Sequence, residues 1–277
     1  MRLGAPAMNG IETPEEWVSY HQKYGYRAAY TPIHHIDEVK TKKDFIEAAK
    51  KHDIILAEIG AWSNPMSPDA AVRSKAIEHC KQQLFIADET GTICCVNIAG
   101  NLGEPWDGHS CKNFTNDAFE QIVETTRDII DSVKPKRAFY TLEMMPWMYP
   151  YDADSYLELI KAIDRKQFAV HLDIVNIITS PAMYYNIPAI IKSCFAKLGK
   201  YIKSIHVKDI SMSQRMTVHL DEAMPGKGNF DHRCLIEEVR KLDENIPLLL
   251  EHLSTKEEYI EAGEYIKSLF WMLPDML

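Results

Sequence analysis

Phe168-Ala-Val-His-Leu-Asp173 is a short run, apolar on both faces of a strand, that ends on a carboxylate. Three further runs share that design: Phe139-Tyr-Thr-Leu-Glu143, Ile202-Lys-Ser-Ile-His206 and Pro247-Leu-Leu-Leu-Glu251. A strand buried on both faces belongs to a parallel sheet covered by helices. One that presents a ligand-type side chain at its C-terminal end is how a parallel barrel assembles an active site. Two Glu, one Asp and one His form a mostly oxygen donor set. That set suits Mn²⁺ foremost, with Mg²⁺ or Co²⁺ as alternatives, better than a structural zinc.

Working outward, eight candidate strands alternate with amphipathic segments: Arg2–Ala5, Ala28–Thr31, Ile54–Gly60, Thr92–Ala99, Ala138–Glu143, Phe168–Asp173, Ile202–Val207 and Leu248–His252. Helix-start signals stand between them at Thr13-Pro, Thr41-Lys, Ser67-Pro, Asn116-Asp, Asp152-Ala, Ser180-Pro, Asp231-His and Ser254-Thr. The pattern predicts an α/β protein, a (β/α)₈ barrel forming one domain over residues 1–277. A doubly wound open sheet would need a Gly-rich phosphate turn directly after a strand. Gly226-Lys-Gly228 and Gly100-Asn-Leu-Gly103 do not supply one.

Composition narrows the partners. With 31 Lys+Arg against 40 Asp+Glu the net charge is −9, which argues against duplex nucleic acid or an anionic membrane surface. No run approaches the roughly 18 apolar residues of a spanning helix. The first residues read straight into structure rather than into a signal peptide. Six cysteines without CxxC spacing predict free thiols and a reducing cytoplasm. The apolar stretch from Leu269 to Leu277 is expected to pack on its own barrel or to form a subunit contact.

The segments Leu142-Glu-Met-Met-Pro-Trp147, His171-Leu-Asp173, His206-Val-Lys-Asp209, Pro225-Gly-Lys-Gly-Asn-Phe-Asp231 and Leu250-Glu-His252 resemble the xylose isomerase-like TIM barrels, the group of sugar phosphate isomerases and epimerases. The resemblance runs over essentially the whole chain. It implies one divalent ion held by Glu143, Asp173, His206 and Glu251, with Glu143 and Glu251 also moving a proton beside a sugar carbonyl. Two positions depart from the ketose 3-epimerase pattern. Asn176 stands where those enzymes carry a His, and Met212 where they carry an Arg. The bacterial C-glycoside deglycosidase catalytic subunits are similar barrels. They imply the alternative chemistry, β-elimination from a 3-oxo-glycoside, and a smaller partner subunit. A non-catalytic sugar-binding barrel is the remaining alternative. The endonuclease IV group shares the fold but needs more His at strand ends than this chain offers.

Loop residues complete the expectation. His109, in a Gly-containing loop after the fourth strand, is a candidate acid/base. Trp62, Trp147, Asn176, Lys208 and His219 are candidate substrate contacts on a small carbohydrate or glycoside. Glu58 is expected to point into the barrel as a supporting partner or to form an ion pair, His171 to lie deeper in the barrel, and the second ring nitrogen of His206 to be held by an acceptor. His252 is expected to point away from Glu251 toward the outer helices. A homo-oligomer is a further possibility for the assembly.

Overall fold

The computed structural model describes residues 1–7 and 10–272. Eight parallel strands close into a barrel: β1 (Arg2–Ala5), β2 (Ala28–Tyr30), β3 (Ile55–Gly60), β4 (Cys94–Asn97), β5 (Phe139–Glu143), β6 (Phe168–Leu172), β7 (Ile202–Val207) and, returning to β1, the strand Pro247–Leu250. An antiparallel hairpin of β8 (Asp209–Ser213) and β9 (His219–Ala223) stands apart from the sheet, so the closing barrel strand is β10.

β1 and β7 keep the bounds expected of them, and the other six strands are shorter than the runs that announce them. Thr92 spends its hydroxyl on Thr90, 2.8 Å away, before β4 begins. Ile98 and Ala99 then leave the sheet for the turn at Gly100, whose φ of 103° favours a residue without Cβ. The helix starts follow the chemistry of capping. Thr13 forms a capping box with Glu16, and Asp152, Ser180 and Asp231 cap as expected. Asp69, rather than Ser67, caps the helix Ala70–Thr90, and Thr115, rather than Asn116, caps Asn116–Val133. Thr41 ends one short helix and caps none.

Helices fix the strands that carry the site. The Tyr156 hydroxyl, from helix Ala153–Ile163, reaches the Leu142 carbonyl of β5 at 2.7 Å and the Ala169 carbonyl of β6 at 2.9 Å. It thereby pins two adjacent strands one residue from Glu143 and four from Asp173. On β4, Cys95 packs outward beside Cys80, while Cys94 lies in the environment of Glu58. All six cysteines are free. At the C-terminus Leu269 is buried and Phe270 packs on the core; residues 273–277 lie outside the described residues.

A buried carboxylate organises the segment after the hairpin. Asp209 accepts from the backbone N–H groups of Ile210, Gly226, Gly228 and Phe230, at 2.8, 2.9, 2.9 and 2.8 Å. A Cβ on Gly228 would fall 2.2 Å from Asp209 Oδ1. The Pro225-Gly-Lys-Gly-Asn-Phe run is therefore a structural knot between β7 and the helix His232–Val239.

Candidate active site

Glu143 ends β5, Asp173 follows β6, His206 lies near the end of β7 and Glu251 follows β10. One ligand atom from each falls within 4.8 Å of all the others. His206 Nδ1 is 2.8 Å from Glu251 Oε1, 3.4 Å from Glu143 Oε1 and 3.8 Å from Asp173 Oδ2. Three of these buried atoms, Asp173 Oδ2, His206 Nδ1 and Glu251 Oε1, have no hydrogen-bond partner. Three carboxylates crowded into a buried space repel one another and need positive charge among them, which here comes from Lys208 and the His206 ring. Three carboxylates with one imidazole at this spacing fit a divalent, oxygen-preferring cation.

Lys208 and Asn176 frame the cluster. Lys208 Nζ, buried, pairs with Glu251 Oε1 at 2.6 Å and with Asp173 Oδ2 at 2.8 Å. It donates to Asn176 Oδ1 at 3.2 Å and to Glu222 Oε1 at 3.1 Å. Asn176 Nδ2 donates to Glu143 Oε1 at 2.9 Å. The amide at the departure position thus links Glu143 to Lys208, a task that requires a donor and an acceptor in one side chain.

The carboxylates differ in their electrostatics. Burial pushes Glu143 up to about 7, with His206 only partly offsetting it. Burial also works to raise Asp173 and Glu251. For Asp173, Lys208 and His206 outweigh it and hold the group far below the usual range. For Glu251, His206 and Lys208 also outweigh burial and lower the pKa. Burial pulls the His206 ring toward neutrality, but Glu251 and Glu58 keep its pKa well above the usual value.

Beneath the cluster a second polar layer fills the barrel. Glu58 Oε1 meets His206 Nε2 at 3.3 Å, and Glu58 Oε2 lies 3.4 Å from Ser204 Oγ and 3.5 Å from His171 Nδ1. Glu58 is thus the group that holds Nε2, and it leaves Nδ1 as the ring nitrogen that faces the ligands. His171 is fully buried, 4.0 Å from the His206 ring centre to centre, and burial drives its pKa well down, so it is neutral.

Residues 18–269 match the family described as xylose isomerase-like TIM barrel. The chain belongs to that family. No curated protein matches the chain in sequence. Among solved structures, this xylose isomerase-like barrel is similar to the probable 3-DHS dehydratase AsbF from Bacillus anthracis (TM-score 0.74, 18% identity, covering 98% of this chain and 99% of that one). It is also similar to an L-ribulose 3-epimerase (TM-score 0.70, 14% identity, 98% and 93%). A third likeness is to a xylose isomerase-like barrel from Mycobacterium smegmatis in complex with magnesium (TM-score 0.69, 14% identity, 98% and 95%). At these identities the likeness is one of fold.

Above the ligands of this xylose isomerase-like barrel opens a cavity of about 920 Å³. Trp62, Trp147, Asn176 and Lys208 line it, as the sequence reading expects, and so does Glu222. His109 does not. It is exposed and outside the lining, because the loop turns on Gly108 pressed against Pro105 and delivers Trp106 and Asp107 instead. His219 also stays outside, paired with Ser213 at the far end of the hairpin. His252 reverses its expected direction. A left-handed backbone, φ 54°, turns the ring over the mouth, where Nδ1 meets Glu222 Oε2 at 2.9 Å and Nε2 lies 3.6 Å from Glu251 Oε2. Tyr30, whose hydroxyl reaches the Leu250 carbonyl at 3.3 Å, is a lining residue with no sequence signal beyond its strand.

Proposed function

We propose that the protein is a divalent-metal-dependent carbohydrate enzyme, Mn²⁺ being the preferred ion, that moves a proton beside a carbonyl through an enediolate, as a sugar isomerase or epimerase does. The observation that carries this reading is the convergence of Glu143, Asp173, His206 and Glu251, each offering one ligand atom within 4.8 Å of the others at the barrel mouth. When bound, the ion polarises the carbonyl and stabilises the negative charge that develops on oxygen. The chain supplies the remaining chemistry. Glu251, held ionised by His206 and Lys208 despite its burial, is the proton acceptor. Glu143, the second carboxylate of the cluster, is the partner that relays the proton to the opposite face. Lys208 places a buried ammonium beside both Asp173 and Glu251, where it can also bind a substrate oxygen. Asn176 fixes Glu143. Six free cysteines favour a reducing cytoplasm as the site of action.

The test is incubation of the Mn²⁺-loaded protein with a panel of ketoses in deuterium oxide. Deuterium beside the carbonyl of recovered sugar, absent in Glu251→Gln, supports the reading. Release of a leaving group from a 3-oxo-glycoside without label in a recovered sugar would replace it with β-elimination. Loss of neither activity nor metal in the Glu251→Gln variant would refute it.

A further inference from the structure

The cavity over the acidic cluster has two unlike ends. Glu143, Lys208, Glu222 and Glu251 gather on the floor. The walls above carry three indoles, Trp62, Trp106 and Trp147, which remain 44%, 38% and 37% exposed. They come from three different loops, so no single helix or strand accounts for their meeting. Ile98, Ile178 and Leu220 add apolar lining, while Asp107, Thr179 and Asp221 line the same cavity with polar groups. A free sugar carries hydroxyls on every side, and those laid against the indole faces and aliphatic side chains would lose water without gaining a partner.

Two of the indoles are set in place. A Cβ on Gly60 would lie 2.2 Å from Trp62 Nε1, so Trp62 rests on the bare backbone at the end of β3. Trp147 donates its Nε1–H to the Asp107 carbonyl at 2.7 Å, and its own carbonyl accepts from Asn113 at 3.1 Å. Its polar edge is therefore used, and what it offers to the cavity is apolar ring surface. The volume, about 920 Å³, lies toward the upper end of the roughly 300–1,000 Å³ that drug-sized ligands fill. A single monosaccharide leaves most of it empty.

We infer that the substrate has two parts: a hydroxy-carbonyl portion at the acidic floor and a flat apolar group, aromatic in class, held among Trp62, Trp106 and Trp147. This rests on the reading of the floor as a metal-dependent carbohydrate site, and its test separates the two. Mn²⁺ binding to the full chain is measured first, by the loss of the free-ion electron paramagnetic resonance signal. Acetohydroxamate and benzohydroxamate are then titrated into the Mn²⁺-loaded protein by calorimetry and tryptophan fluorescence. Both probes chelate through the same two oxygens and differ only in a methyl against a phenyl group. Burying the phenyl ring against the indoles should tighten binding by roughly 10- to 100-fold over the methyl compound. In Trp62→Ala that ratio should shrink to about threefold or less while Mn²⁺ affinity is unchanged, and Trp62→Phe should keep most of it. Equal affinity for the two probes, no binding of either to Mn²⁺-loaded protein, or a ratio untouched by Trp62→Ala overturns the inference and leaves the metal reading standing. Failure to hold Mn²⁺ at all overturns the metal reading, and this inference with it.

Discussion

Lys208 Nζ stands 2.6 Å from Glu251 Oε1, so an ammonium two residues after one candidate ligand neutralises another. Burial works to lower its pKa, but Asp173, Glu251, Glu143 and Glu222 outweigh it and hold the group charged. Removing one member of a buried charge pair costs about 3–5 kcal/mol, because the partners are left uncompensated. Lys208→Met should therefore melt several degrees lower than the parent in EDTA, and added Mn²⁺ should close much of the gap by supplying the missing positive charge. Thermal scans with and without the ion check this; an unchanged melting temperature in EDTA would remove Lys208 as the counter-charge.

Glu58 acts on the site through His206, whose Nε2 it meets at 3.3 Å. Partners that orient a ligating histidine typically change metal affinity by about 10–100-fold when lost. Glu58→Ala should weaken Mn²⁺ binding by that order. Glu58→Gln, which keeps an acceptor oxygen, should lose much less. Titration calorimetry on both variants decides the matter, and equal affinities across the three proteins would assign Glu58 to packing alone.

Ion uptake should release protons. Burial holds Glu143 at about 7. His206, despite its burial, is kept protonated above its usual range by Glu251 and Glu58. A bound cation needs both groups without their protons, so affinity should rise as the pH climbs through about 7. Calorimetry in two buffers of different ionisation enthalpy measures the protons released. Buffer-independent heats and a flat affinity over that range would contradict the assignment.

At Glu38 the pKa moves the other way. Glu38 Oε2 accepts from the His34 and His35 amides at 2.7 and 3.2 Å, and Glu38 Oε1 pairs with Lys42 at 2.8 Å. Burial opposes ionisation, but Lys42 and the two amides pull the group from 4.5 down to about 2. Its stabilisation is thus full above the unfolded value and fades as the pH falls from 4.5 toward about 2. With Glu38 partly exposed, screening reduces the effect to about 1 kcal/mol. Denaturant midpoints of Glu38→Gln and the parent should differ by that amount at neutral pH and converge in acid; a gap that persists in acid would point to packing instead.

The four ligands were legible because each ends an apolar run, and strand alternation decides which face a side chain takes. The hairpin was not legible. β8 starts two residues after β7 ends, with only Lys208 between, so the run His206-Val-Lys-Asp reads as one strand. β9 is half-exposed and charged and carries no apolar alternation. His252 escaped for a different reason: alternation sends it outward, and a single positive φ cancels that rule. His109 was chosen for its residue type in a Gly-containing loop. The contact of Gly108 with Pro105, which no local pattern announces, gives the cavity to Trp106 and Asp107. Asn176 stands out in the sequence only as a departure and a candidate substrate contact, and nothing local announces that its amide donates to Glu143 and accepts from Lys208.

The Asp209 knot fixes a length as well as a shape. One carboxylate serves amides at residues 210, 226, 228 and 230, so adding or removing a residue between Pro225 and Phe230 would shift the later donors off their acceptor. Drift in chain length on this side of the barrel must be absorbed at the hairpin tip, residues 214–218, which reaches out from β8 and β9 beyond the knot. The side of the entrance that can vary in size is therefore the one bearing Val218 and Leu220, while the stretch behind it keeps a constant span.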